Sequence, residues 1–133
     1  MRFGLGLAVL AVIFSYDTDP ARASICLGQS MTHEETIAAI GATSGCDKAM
    51  KLFKDCAYTE SGDVLLGEAV EKKCEVDFLR RLSAGEKRAY QGELKRCDEK
   101  YRGKQGTMYL SFTAFCRAEV SQRYARQARK ASR

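Results

Sequence analysis

One proline and one histidine are all this 133-residue chain has of either, and tryptophan is absent. The proline is Pro20, so beyond it no residue interrupts a helix by lacking a backbone N–H. His33 is expected in the solvated first turn of a helix, which leaves no Ser-His or Cys-His pair for nucleophilic catalysis. No CxxC pair occurs among the six cysteines, and none lies within ligand spacing of His33, which argues against zinc knuckles and thiol redox centres. Gly103-Lys104-Gln105-Gly106 lacks the GxxxxGK[ST] pattern and follows no strand, so it reads as an inter-helix turn rather than a phosphate loop. The closest acidic pairs, Glu34/Glu35 and Asp98/Glu99, are adjacent and point apart on a helix. The expectation is a protein that is not an enzyme and has no metal and no cofactor. No internal repeat or low-complexity tract is present.

Long apolar runs are equally scarce. Gly4 to Phe14 is the longest, behind the positive start Met1-Arg2-Phe3, and a membrane span needs roughly 20 residues. A polar stretch follows, and Ala21-Arg22-Ala23 fits the small-x-small rule of leader peptidase. Residues 1–23 are therefore expected to be a signal peptide cleaved before Ser24, with 24–133 forming a single domain. Ile25 directly before Cys26 argues against a lipid anchor on that cysteine. The leader charges Arg2, Arg22, Asp17 and Asp19 cancel, so the remainder keeps the net charge of +5. A periplasmic or secreted location follows.

Cys26, Cys46, Cys56, Cys74, Cys97 and Cys116 make an even count in a short exported chain, which implies a disulfide framework. Each bridge contributes about 2–4 kcal/mol, against a net stability of about 5–15 kcal/mol for a small domain. Six cysteines allow 15 connectivities. Ten residues along a straight helix span about 15 Å, beyond the roughly 7 Å limit between bridged Cα atoms. Cys46 and Cys56 can pair only if their helix bends. Cys97 can meet Cys74 or Cys116, and helix geometry does not choose.

The pattern is all-α: a small bundle of four to five helices stapled by disulfides. Thr32-His33-Glu34-Glu35 is a capping box opening a short helix that Gly41 ends. Ser44 or Gly45 starts a second, with Ala49, Met50, Leu52, Phe53 and Cys56 on one side. Leu66, Val70, Cys74, Phe78 and Leu82 predict one long helix over 63–82. Ser83-Ala84-Gly85-Glu86 caps a fourth carrying Ala89, Tyr90, Leu94, Cys97 and Tyr101. Gly103 and Gly106 bracket a break, and Thr107 caps a fifth helix with Met108, Phe112, Phe115, Cys116, Val120 and Tyr124. Those aromatic and methionine side chains are expected inside the bundle, with the cysteines bridging helix to helix.

The fifth helix runs into a basic tail. Arg123, Arg126, Arg129 and Lys130 fall roughly along one face and are the candidate surface-binding residues, suited to an anionic membrane or wall polymer. A solvated helix end, where cations suit the helix dipole, is the plainer reading. Nucleic acid is not an expected partner at a pI near 8.9. The sequence does not set the oligomeric state.

Cys46-Asp47-Lys48-Ala49 leading to Cys56-Ala57, then Tyr90 to Cys97, Gly106-Thr107-Met108-Tyr109, Cys116 and Arg123, resembles the LprI-type lysozyme-inhibitor family of small exported bacterial proteins. The likeness spans most of residues 46–127. The chain departs from it in lacking the tryptophan of the penultimate helix, in a closer first cysteine pair, and in adding Cys26 and Cys74. The resemblance implies a helical fold, a binding rather than catalytic role, a lysozyme as partner, and the pairing Cys46–Cys56, Cys97–Cys116 and Cys26–Cys74. An inhibitor of a basic lysozyme needs a local acidic patch, for which Glu60, Asp63, Glu68 and Glu71 are available, although such a run is usually a solvated face. The alternative expectation is an envelope structural or stress protein that contacts anionic polymers or membrane through the basic tail.

Overall fold

The computed structural model describes Cys26 and residues 31–133; the expected signal peptide and cleavage site lie outside the described residues. Among the described residues the fold is all-α. Five helices, α1 (His33–Ala42), α2 (Cys46–Cys56), α3 (Asp63–Glu75), α4 (Ala84–Lys100) and α5 (Thr107–Ala131), are joined by short turns, with a 3-10 turn at Leu79–Arg81 and no strand. None of these helices is long and apolar enough to cross a membrane.

Reciprocal side-chain caps set two of the five helix starts. The Thr32 hydroxyl accepts from the Glu35 N–H at 3.2 Å, and the Glu35 carboxylate accepts from the Thr32 N–H at 2.8 Å. Ser83 and Glu86 repeat this reciprocal cap on α4. Gly41 does not end α1, which runs one residue further, to Ala42, where the Thr43 hydroxyl donates to the Ile40 carbonyl. Thr107 is not the cap of α5. Gly106 holds that position at φ 108°, in the left-handed region a glycine adopts without a Cβ penalty, and no side chain caps it.

Helix α3 is shorter than the hydrophobic stripe predicts. It stops at Glu75, and bonds of i→i+3 type then tighten the chain, from Asp77 N–H to the Cys74 carbonyl and from Phe78 N–H to the Glu75 carbonyl. The tightening turns Phe78 into the core, edge-on to Tyr90 at 5.0 Å and tilted against Tyr124 at 5.5 Å. Val76 is left 79% exposed on the outside of the bend.

The centre of the bundle is the pair α3 and α5, which share the largest helix interface. The expected core stripe of α5 is not the one observed. The face of α5 that is buried carries Ser111, Ala114, Ala118, Ser121, Gln122 and Ala125. Small side chains at that face let the two backbones approach, with Gly67 of α3 against Ala114. Met108 and Phe112, expected inside, are 44% and 37% exposed. Phe115 is half-buried and stacks on Phe53 of α2 at 4.3 Å, while Val120 is buried as expected. Ala89 of α4, also expected inside, is exposed.

All six cysteines are bonded: Cys26–Cys56, Cys46–Cys74 and Cys97–Cys116. The Cys97–Cys116 bridge is the one implied by the family resemblance. The other two implied pairs, Cys46–Cys56 and Cys26–Cys74, are corrected. Helix α2 is a continuous 11-residue helix with Cys46 at its first position and Cys56 at its last. The two thiols therefore stand at opposite ends, out of reach of each other. Cys46 is bonded instead to the last turn of α3, and Cys56 to the segment before α1.

Candidate functional site

The basic end of α5 is an ion-paired seam. Asp47, in the first turn of α2, receives the Gln122 side-chain N–H at 2.6 Å, Arg126 Nε at 2.8 Å and Arg129 Nη2 at 2.5 Å. Burial alone would lift the Asp47 carboxyl; the three hydrogen bonds outweigh it, and its pKa lies below the ordinary value. Arg129 also stands 4.0 Å from Asp77. Arg123 pairs with Glu93 of α4, which accepts from the Tyr124 hydroxyl at 3.0 Å through its other oxygen. Of the four candidate surface-binding residues, Arg123, Arg126 and Arg129 thus face acids of their own fold, and Lys130 is exposed beyond them.

Three further polar assemblies join the helices, and no spacing in the sequence announces them. Arg117 of α5 forks onto Glu71 of α3 at 2.8 and 3.0 Å and onto Asp98 of α4 at 2.9 and 3.0 Å, tying three helices. Burial pushes Glu71 up from the usual carboxylate value, against the pull of Arg117. The Tyr90 hydroxyl donates to Glu75 at 3.0 Å and lies 2.8 Å from the Ser121 hydroxyl; burial lifts its pKa. Asp63 is wholly buried, accepting from the Ser111 hydroxyl at 2.6 Å and from the N–H groups of Tyr58 and Glu60. Those two amides flank Thr59, which sits at φ 61°, so one carboxylate pins a strained turn.

These contacts dissolve the acidic patch at the start of α3. Asp63 and Glu71 are buried and bonded, Glu60 stands 3.2 Å from the His33 imidazole, and Glu68 is exposed. His33 is only partly solvated, because its ring lies directly over Gly62, where a Cβ would stand 2.0 Å from Nε2. No three His, Cys, Asp or Glu residues among the described ones are grouped to hold a metal ion. Every fully buried side-chain polar atom described has a hydrogen-bond partner.

The open surfaces among the described residues include two of note. One is a shallow groove of about 530 Å³ between the 3-10 turn, the start of α4 and the end of α5, with Phe78, Leu82, Ala89 and Tyr124 along it and Arg81 and Glu86 at its rim. Arg81 spans to the Ser132 hydroxyl at 2.8 Å. The other is the turn between α4 and α5, where the rings of Tyr101, Tyr109 and Phe112 lie 5.8–6.2 Å apart. Gly103 at φ 76° and Gly106 at φ 108° make that turn tight. Comparisons with protein-family models, with curated proteins and with solved structures found no match.

Proposed function

We propose that the protein is a non-catalytic binding module of the bacterial cell envelope, periplasmic or secreted, with a lysozyme as the partner class to test first. The observation that carries the reading is the use made of its reactive side chains. Six thiols are consumed in three bridges, a state suited to an oxidising compartment. Among the described groups with shifted pKa, Asp47, Glu71, Tyr90 and Arg117 are each held by partners from other helices, and Glu86 is engaged in the cap of its own helix. Groups so engaged stiffen a scaffold, and a stiff scaffold binds through its outer faces with little ordering cost. The likeness to the LprI-type family supplies the lysozyme.

The test is a lysozyme turbidity assay with oxidised, folded protein. Inhibition that disappears after reduction supports the reading. An undiminished lysozyme rate at high micromolar protein ends the lysozyme version.

The basic tail as an anionic contact is the weaker form of the binding role. Arg123, Arg126 and Arg129 would have to leave Glu93, Asp47 and Asp77 to reach a partner.

A further inference from the structure

We infer that the α4–α5 turn is a docking tip for an anionic lipid surface. The inference stands on that tip alone and does not depend on the lysozyme reading. From Lys100 to Ala118 the chain contains no acidic residue, while Lys100, Arg102 and Lys104 are all exposed there. None of these three cations forms an ion pair with a described residue, in contrast to the arginines of the tail. The Lys100 and Lys104 ammonium groups stand 5.2 and 5.5 Å from the ring centroids of Tyr101 and Tyr109.

Apolar side chains are set among these cations. Met108 and Phe112, four residues apart, share a face of α5 and are exposed because the buried face of that helix is the small-residue one. Leu110, 48% exposed, lies two residues from each and so on a different side of the helix. The assembly is stiff: Cys97–Cys116 joins α4 to α5 close below the turn, with Cα atoms 5.7 Å apart.

The chemistry selects the occupant. A second copy of the chain would set three cations against three. A soluble polyanion would answer the cations and leave Met108 and Phe112 in water. An anionic bilayer answers both: phosphates take Lys100, Arg102 and Lys104, tyrosines suit the headgroup level, and Met108 and Phe112 reach the acyl boundary.

Co-sedimentation of the oxidised protein from Ser24 to Arg133 with phosphatidylglycerol vesicles and with phosphatidylcholine vesicles tests this. Binding is expected on the former only, weakening as salt rises. The triple variant Lys100→Gln, Arg102→Gln, Lys104→Gln should bind on the order of a hundredfold more weakly, since each surface cation gives roughly a fivefold gain. Met108→Ser with Phe112→Ser should weaken binding roughly tenfold or more, and a thermal melt close to that of the parent shows that the fold is kept. Lys87→Gln with Arg88→Gln, exposed at the opposite end of α4, should bind as the parent does. The inference is overturned if the parent ignores phosphatidylglycerol vesicles, or if the triple variant binds them equally. It is also overturned if the Met108/Phe112 variant keeps full affinity, which would mark a polyanion contact, or if Met108→Ser instead dissolves a dimer. Lysozyme inhibition by the same variants, measured without lipid, separates failure of the tip from failure of the proposed partner.

Discussion

Gly67 of α3 lies so close to Ala114 of α5 that a Cβ at position 67 would stand 2.9 Å from the Ala114 Cβ and 3.1 Å from its carbonyl oxygen. The obstacle is partly backbone, so it cannot rotate away. Gly67→Ala should therefore destabilise by about 1–3 kcal/mol through overpacking, in spite of the roughly 1 kcal/mol that alanine gains over glycine within a helix. Gly92, inside α4 with open space where its Cβ would be, is the matched control. Gly92→Ala should stabilise by about 0.5–1 kcal/mol. Urea melts of the two variants should move in opposite directions.

Arg117 neutralises Glu71 in a largely buried setting, and its removal leaves that carboxylate without its cation. Arg117→Met should cost on the order of 3 kcal/mol at neutral pH. Glu71 has a folded pKa above its unfolded one, so its favourable contribution is complete below the unfolded value and is lost as pH rises through the folded value. Losing Arg117 widens that loss. The variant should regain stability as pH falls from neutral toward about 5, and adding Glu71→Gln should flatten the profile. An Arg117→Met variant with no pH-dependent recovery would contradict the assignment.

Asp47 has the opposite sign. Its folded pKa is depressed, so the stability it contributes is present above the unfolded value near 4 and disappears as pH drops through the folded value. Asp47→Asn should cost about 1 kcal/mol at neutral pH, the scale of partly exposed pairs. The difference from the parent should be smaller in acid, once pH has fallen through the folded value, than at neutral pH. Chemical denaturation at the two pH values checks this.

Non-reducing peptide mapping should return Cys26–Cys56, Cys46–Cys74 and Cys97–Cys116. The sequence separations are 30, 28 and 19 residues, and closing loops of that size is worth about 3–4 kcal/mol each. Replacing Cys46 and Cys74 together by alanine should lower the melting temperature most, since both are fully buried and their loss also opens the core. Replacing Cys97 and Cys116 should lower it least. A Cys46–Cys56 fragment in the map would mean that α2 is not continuous.

The features legible in the sequence were the local ones. The capping boxes at Thr32 and Ser83 act over three residues, and both are present as read. The side of α2 bearing Ala49, Met50, Phe53 and Cys56 is apolar at helical spacing and is buried. The end of α3 was not legible, because the four-residue recurrence from Cys74 to Phe78 survives a change from α to 3-10 geometry. The packing face of α5 was not legible either. Its seam of Ser111, Ala114, Ala118 and Ser121 looks weak to any search for large apolar groups, yet close approach to α3 requires small ones. The partners of Arg126 and Arg129 lie about 80 residues away in α2, so a cluster of cations at the end of a helix gave no hint that it was spoken for. The bridges of Cys46 and Cys56 depended on tertiary proximity in the same way.

The first two bridges interleave along the chain: Cys46 lies inside the loop closed by Cys26 and Cys56, and its own partner, Cys74, lies outside it. An oxidant that meets the thiols in order of synthesis would join Cys26 to Cys46 while Cys74 has yet to arrive. That early crosslink is a wrong one, and thiolate exchange must undo it before α2 can be fastened at both ends. On that order of oxidation, maturation would call for a disulfide isomerase as well as an oxidase, and a host with only the second would accumulate scrambled chains whose error is confined to the first four cysteines.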